Sequence, residues 1–265
     1  MADLAYSYGL DMTVHHHPLG FSYGDEVTGP MPEIRQLDQI RASLRDPHCE
    51  GPQEVYAIAM DVARMQDREE LKKRMLLFGV VTYAAGRLGE EPVRSQGHIH
   101  RISQHSGWSP PELYEIWQGK AIIYMQEYVE DDPGRCFAVI AGPGEKVLVP
   151  PGWGHATISA DPAVPLTFGA WCDREYGFEY DAVRAHKGLA WYRCCRATTL
   201  SGSIIRVTSQ DDCRPLRPDN IRNSRLLPHL FISNSSRIRR VSNLSHARTS
   251  TPSCGKTFIH KKTGA

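Results

Sequence analysis

A chain of 265 residues that is 41% hydrophobic and 23% charged has room for one large domain, or one domain and an appendage, with a proper buried core. No run approaches the roughly 18 apolar residues that span a bilayer, and Met1-Ala2-Asp3-Leu4 lacks the basic and apolar regions of an export signal, so a soluble, non-exported, cytoplasmic protein is expected. The net charge of +1 conceals a division: residues 193–265 hold fourteen Lys and Arg against three Asp, leaving the first 192 residues near −10.

In chain order, residues 1–30 carry Gly, Tyr and the triplet His15-His16-His17 without a sustained period, and are expected to lie on the domain as an arm. From Met31 the apolar positions Ile34, Leu37, Ile40 and Leu44 recur at helical spacing. They predict an amphipathic helix that ends near Asp46-Pro47 and packs outside the sheet. Ten segments then read as strands: 54–62, 76–84, 93–101, 112–117, 120–128, 136–141, 146–149, 155–159, 166–171 and 189–192. Most are short, rich in Val, Ile, Tyr and Phe, and punctuated by Gly or Pro.

Residues 67–74 form a charged insertion of one or two helical turns between the first two strands. Gln118-Gly119-Lys120, Asp131-Asp132-Pro133-Gly134 and Gly142-Pro143-Gly144-Glu145 are turn sequences that suit antiparallel connections. The expected fold is therefore mainly β, a barrel or sandwich over residues 31–192. Residues 193–265 are Ser- and Arg-rich without Glu, Trp or Tyr, and are expected to be poorly structured or of unrelated origin. Such a tail suits at most nonspecific contact with nucleic acid, since only Phe231 and Phe258 offer stacking surfaces. The seven cysteines show neither a disulfide framework nor zinc-finger spacing and read as reduced thiols.

His98 and His100 stand one residue apart. Alternate residues of a strand face the same way, so this pair can offer both imidazoles to one ion. Glu112 follows, and His155 emerges from Pro150-Pro151-Gly152-Trp153-Gly154, where prolines fix φ and glycines permit a sharp reversal. Three nitrogens and one oxygen from separate strands make a divalent metal site. Along 112–119, strand parity puts Tyr114 beside Glu112 and turns Glu115 to the other face.

These two stretches resemble the paired motifs of the cupin superfamily: a glycine, HxH, a glutamate and a glycine, then a glycine, PxG and a histidine. Two departures are visible. Eleven residues separate His100 from Glu112, a longer spacer than usual that is expected to loop at the barrel mouth, and Ser159 stands where asparagine is common. Within cupins the chain is most similar to the cupin-type glucose-6-phosphate isomerases, over roughly residues 30–192. The likeness rests on Glu54-Val55-Tyr56-Ala57, Ser95-Gln96-Gly97-His98-Ile99-His100, Glu112-Leu113-Tyr114, the Pro150 to His155 turn, Gly177-Phe178-Glu179-Tyr180 and Lys187-Gly188.

The resemblance implies a double-stranded β-helix, or jelly-roll barrel, with a few flanking helices. It also implies one divalent ion per chain, iron first with manganese, zinc or nickel as alternatives, held by His98, His100, Glu112 and His155. Glu112 and Tyr114 would lie beside the reacting carbons of a sugar phosphate, with Tyr56, Ser95, Gly97 and Tyr180 around it, in a homodimer. Phe178 stands where the family has a phosphate-end histidine and Cys172 where it has a pocket tyrosine. Arg174 or Lys187 is then expected to supply the charge for phosphate. The same donor set also suits an iron-dependent cupin dioxygenase, or a sugar-binding cupin without turnover.

Overall fold

The computed structural model describes residues 9–191 and 204–206. All of them lie in a unit from Met1 to Ile232; a second unit, Ser233–Ala265, falls outside the described residues, as does the basic tail apart from 204–206. In chain order the strands are β1 (Met12–His16), β2 (Leu19–Tyr23), β3 (Val27–Thr28), β4 (Glu33–Gln36), β5 (Glu54–Met60), β6 (Ala63–Arg64), β7 (Leu76–Tyr83), β8 (Arg87–Leu88), β9 (Glu91–Pro92), β10 (Ile99–His100), β11 (Glu112–Gln118), β12 (Ala121–Gln126), β13 (Cys136–Ala141), β14 (Lys146–Val149), β15 (Gly154–Ser159), β16 (Leu166–Asp173), β17 (Phe178–Glu179) and β18 (Ile204–Arg206). Short helices α1 (Leu37–Ile40), α2 (Arg68–Lys73) and α3 (Asp181–Ala185) flank them.

Two antiparallel sheets form the barrel. One has the order β14-β11-β16-β7-β5-β4, the other β15-β12-β13-β18. Their inner faces share a core that includes Tyr56, Val81, Tyr83, Ile116 and Phe168 from the first sheet and Ile123 and Met125 from the second. The outer faces are covered too. Phe78, Val80 and Trp117 pack with Met12, Leu19 and Phe21 of the β1–β2 hairpin, while Ile122, Tyr124 and Ile158 pack with Val183, Leu189 and Trp191. Sheets buried on both sides explain why β7 and β12 read as nearly continuous apolar runs rather than alternating ones, and why every residue of β15 is buried. Gly119, at φ 74°, turns β11 into β12; a Cβ there would meet the Pro165 carbonyl oxygen at 2.6 Å.

The mainly β barrel with few helices is as expected, and three local expectations are corrected. Residues 33–36 are not helical: they pair with β5 as an edge strand, and the helix shrinks to α1 and one 3₁₀ turn, Arg41–Ser43. Glu33, Ile34 and Arg35 alternate, and that period of two wins over the weaker helical spacing because β5 offers an open edge. The expected arm, described from residue 9, lies on the domain as the β1–β2 hairpin; His15 contacts Ser22 at 2.5 Å and His16 contacts Gln118 at 3.0 Å, so the triplet diverges. The expected strand 93–101 is mostly irregular, joined to β15 by the single bridges Arg94–Ile158 and His98–His155. Of 189–192, the described part, 189–191, is not a strand; Leu189 and Trp191 plug the outer face of the smaller sheet. Cys49, Cys136 and Cys172 are free and buried, and no helix among the described residues is long and apolar enough to cross a membrane.

Candidate functional site

Four side chains from three parts of the chain converge inside the barrel. His98 and His100 come from the irregular segment that bridges to β15, Glu112 opens β11, and His155 follows the Pro150–Gly154 turn at the start of β15. One donor atom from each lies within 4.8 Å of all the others. His98 Nε2 is 3.2 Å from His100 Nε2, and Glu112 Oε2 is 3.0 Å from His155 Nε2, 3.4 Å from His100 Nε2 and 3.9 Å from His98 Nε2. The four side chains are 13, 1, 6 and 2% exposed in chain order, so little water reaches them.

The second contacts of these rings fix which nitrogen bears the proton. His100 Nδ1 lies 2.9 Å from the Pro110 carbonyl oxygen, and His155 Nδ1 lies 3.0 Å from that of Trp153. A carbonyl only accepts, so Nδ1 donates in both and Nε2 of the neutral ring turns a lone pair inward. With both rings neutral, the His100 and His155 lone pairs face the Glu112 carboxylate at 3.4 and 3.0 Å in a dry interior, an arrangement that a cation between them would satisfy. Burial and its histidine neighbours hold His98 well below the ordinary imidazole range. Burial opposes charge on His100, but the Glu112 carboxylate and the Pro110 carbonyl raise it on balance. Glu112 is desolvated yet held well below the usual carboxylate range by His100 and His155. Three imidazoles and a carboxylate with buried, converging donors fit a divalent transition-metal ion.

The spacer before Glu112 has a local role, because it supplies the Pro110 carbonyl that orients His100; its Ser103 and His105 are tied to Glu175. Glu112 also accepts a hydrogen bond of 2.7 Å from the Tyr114 hydroxyl. Burial and the neighbouring negative charge push the Tyr114 phenol well above its ordinary range, so it remains a donor. Glu115, on the opposite face of β11, pairs with Lys146 at 2.9 Å.

A cavity of about 380 Å³ opens beside His98, Glu112 and Tyr114. The expected substrate residues Tyr56, Ser95 and Tyr180 line it, and Gly97 does not. Gly97 has φ 85°, and a Cβ there would lie 2.9 Å from Leu189 Cδ1, so it shapes the backbone that delivers His98. Phe178 lies over the cluster, its ring 4.5 Å from that of His98. Cys172 is outside the cavity lining, and burial with the nearby Glu112 charge raises its thiol.

The expected charges are corrected as well. Neither Arg174 nor Lys187 lines the cavity; Arg174 is held by Asp61 at 2.8 Å and the Leu76 carbonyl at 2.9 Å. The cavity cation is Arg35, opposite Tyr56 in the β4–β5 ladder, and Gln96 is a further polar lining residue. Sequence reasoning missed Arg35 because a helix sends that side chain to the surface, whereas an edge strand sends Glu33 and Arg35 inward with Tyr56 and Ile58. The alternation across 33–36 was the available signal.

Among solved structures, the chain is similar to the oxalate decarboxylase of Bacillus subtilis at 17% identity and a TM-score of 0.32, covering 48% of this chain and 28% of that one. Among curated proteins, it is 26% identical over 188 residues to the glucose-6-phosphate isomerase of Thermococcus kodakarensis, covering 66% of this chain and 88% of that one. It is 25% identical over 189 residues to the glucose-6-phosphate isomerase of Pyrococcus horikoshii, covering 67% and 89%. The family model described as glucose-6-phosphate isomerase (GPI) matches residues 43–206, more than half of the chain and a span that contains all four converging side chains. The chain belongs to the glucose-6-phosphate isomerase family.

Proposed function

We propose that the isomerase activity of this family, the interconversion of glucose 6-phosphate and fructose 6-phosphate, runs at the His98–His100–Glu112–His155 cluster with one divalent ion per chain. The observation that carries the reading is the set of inward lone pairs, two of them enforced by carbonyls on the far side of the ring. When bound, such an ion supplies positive charge against neighbouring oxygens that turn negative as hydrogen moves between adjacent carbons.

The chain's own residues would do the rest. The Glu112 carboxylate takes the proton from C2 of the open-chain aldose and returns it to C1, while the hydroxyl proton of O2 passes to O1 as C2 becomes the carbonyl and C1 the alcohol, giving the ketose; the reverse transfers regenerate the aldose. Tyr114 keeps the carboxylate turned into the cavity through its hydroxyl. Phe178 and Phe168 wall the site with hydrocarbon and keep water from the transferring proton. Tyr56, Ser95 and Tyr180 contact the sugar. The reading extends to iron as the ion, a homodimer and a cytoplasmic location, each supported by the resemblance of the two motifs and their flanks. Oxygen activation and binding without turnover would use the same four donors, and family membership favours isomerisation over both.

The test is a coupled assay of fructose 6-phosphate conversion before and after chelation, with Fe²⁺, Mn²⁺, Zn²⁺ and Ni²⁺ added back singly. Chelation is expected to abolish turnover and one ion to restore it. Full turnover in protein shown to be metal-free would defeat the proposal. Conversion in deuterated water then tests the transfer mode: deuterium in the product supports a proton moved by Glu112, and its complete absence supports a hydride shift unless the shielded Glu112 proton fails to exchange with solvent.

A further inference from the structure

Two side chains that line the cavity each carry a buried donor without a hydrogen bond of good geometry, Arg35 Nε and Gln96 Nε2, although the Tyr56 and Tyr180 hydroxyls lie close enough to interact with those side chains. Buried polar groups are nearly always satisfied, so two orphans in one cavity mark the place of a missing acceptor. Their orientations are held from behind. Arg35 gives one terminal nitrogen to Glu33 Oε1 at 2.6 Å, which leaves Nε uncommitted. Gln96 is 1% exposed, and its Oε1 accepts a 3.1 Å hydrogen bond from Arg184 Nε, which identifies the other amide atom as the free donor. Tyr180 lies between them: Arg35 acts on it by charge, Gln96 is its hydrogen-bonding neighbour, and its ring is 6.2 Å from that of His98. Arg35, Gln96, Tyr180, His98 and Glu112 line one cavity, so a ligand within it can meet both the four-residue cluster and two N–H donor side chains, one of them cationic.

We propose that Arg35 and Gln96 form an oxyanion subsite that takes the terminal phosphate of the sugar while its reacting end meets the four-residue cluster. The inference rests on the isomerase reading for its substrate, but not for the anion chemistry itself. A phosphate monoester has several strong acceptor oxygens, and a guanidinium is the side chain best matched to them. Phe178 has no hydrogen bond to give, so recognition has moved to the β4 edge and the residue preceding Gly97. Glu33 lines the same cavity and competes for the guanidinium, which gives the proposal a prediction of opposite sign.

The experiment uses the full-length, metal-loaded enzyme and three probes: a five-carbon sugar acid with a terminal phosphate, the same acid without it, and inorganic phosphate. Inhibition constants are measured for the two acids, and phosphate binding is followed by calorimetry. Arg35→Met is expected to weaken the phosphorylated acid by about tenfold to a hundredfold, as for loss of a hydrogen bond to a charged group, to leave the plain acid within about twofold, and to abolish phosphate binding. Glu33→Gln is expected to tighten the phosphorylated acid.

Equal weakening of both acids by Arg35→Met, or of neither, overturns the subsite. Should that variant fail to fold, Arg35→Lys replaces it, and the same selective loss is required. If the wild-type enzyme does not convert fructose 6-phosphate, the isomerase reading fails separately. The subsite is then decided by calorimetry alone: phosphate bound by wild type and lost in Arg35→Met supports it, and phosphate unbound or equally bound refutes it.

Discussion

Replacing Tyr114 by Phe isolates one contact at the centre of the proposed chemistry. The hydroxyl donates to Glu112 Oε2 over 2.7 Å in a buried setting. It is the donor on that oxygen, because His100 and His155 spend their protons on backbone carbonyls. The phenylalanine ring keeps the packing against Phe168, whose ring lies 5.5 Å away, so no cavity larger than one oxygen opens. A hydrogen bond to an ionised group is worth about 1.5–3 kcal/mol. With each 1.36 kcal/mol worth a factor of ten, kcat/KM should fall roughly 10- to 150-fold if the transition state keeps the bond. Steady-state conversion of fructose 6-phosphate, a metal content measurement and a thermal melt together check the outcome. A variant that is folded, fully metal-loaded and within about twofold of wild-type kcat/KM would show that Glu112 is oriented without the hydroxyl, and the reasoning would be refuted.

Other perturbations test the frame around the site. Glu91 and Arg94 form a buried ion pair at 2.7 Å, and Arg94 also donates to the carbonyls of Ser43 and Ser95 just ahead of the HxH segment. Glu91→Ala strands a buried guanidinium and is expected to cost about 3–5 kcal/mol in urea unfolding; a loss under about 1 kcal/mol would show that Arg94 finds other support. Gly97→Ala forces a side chain into a left-handed backbone against Leu189, a strain of roughly 1–2 kcal/mol, and is expected to lower both Tm and bound metal because His98 is the next residue. Metal occupancy equal to wild type would count against that coupling. Asp61 is held below the usual carboxylate range, first by its hydrogen bond from Arg174 against the opposing effect of burial, then by the charges of Arg174 and Arg68. Its folded-state pKa is depressed, so its contribution to stability is present above the unfolded pKa of about 3.9 and fades as pH falls through the folded value. Wild type should therefore exceed Asp61→Asn in Tm at neutral pH, with the gap closing below about pH 4; a gap that is constant with pH would contradict the assignment.

The four-residue cluster was legible in the sequence because each of its residues sits where local geometry alone dictates direction. Alternation along an extended backbone pairs His98 with His100 and Glu112 with Tyr114, and two prolines with flanking glycines narrow the conformations open to the turn before His155. Eight of the ten expected strands, and their antiparallel pairing, followed from the same local rules, whereas the short strands β1–β4 did not. Leu189 and Trp191 were misread as a strand because a buried apolar run looks alike whether it pairs with a sheet edge or packs on a sheet face.

The polar wall of the cavity was another matter. Whether 33–36 forms a helix or a strand depends on an edge of β5 that exists only after the sheet assembles, and that choice alone turns Arg35 from the surface toward the interior. Arg174 looked like a free positive charge until folding brought Asp61 to it across 113 positions. Direction along the backbone is a local property that neighbouring residues settle, and it determined which side chains could meet an ion. Partnership between distant charges costs chain entropy that only the assembled core can offset, so the tertiary structure decided which cation was left facing the cavity.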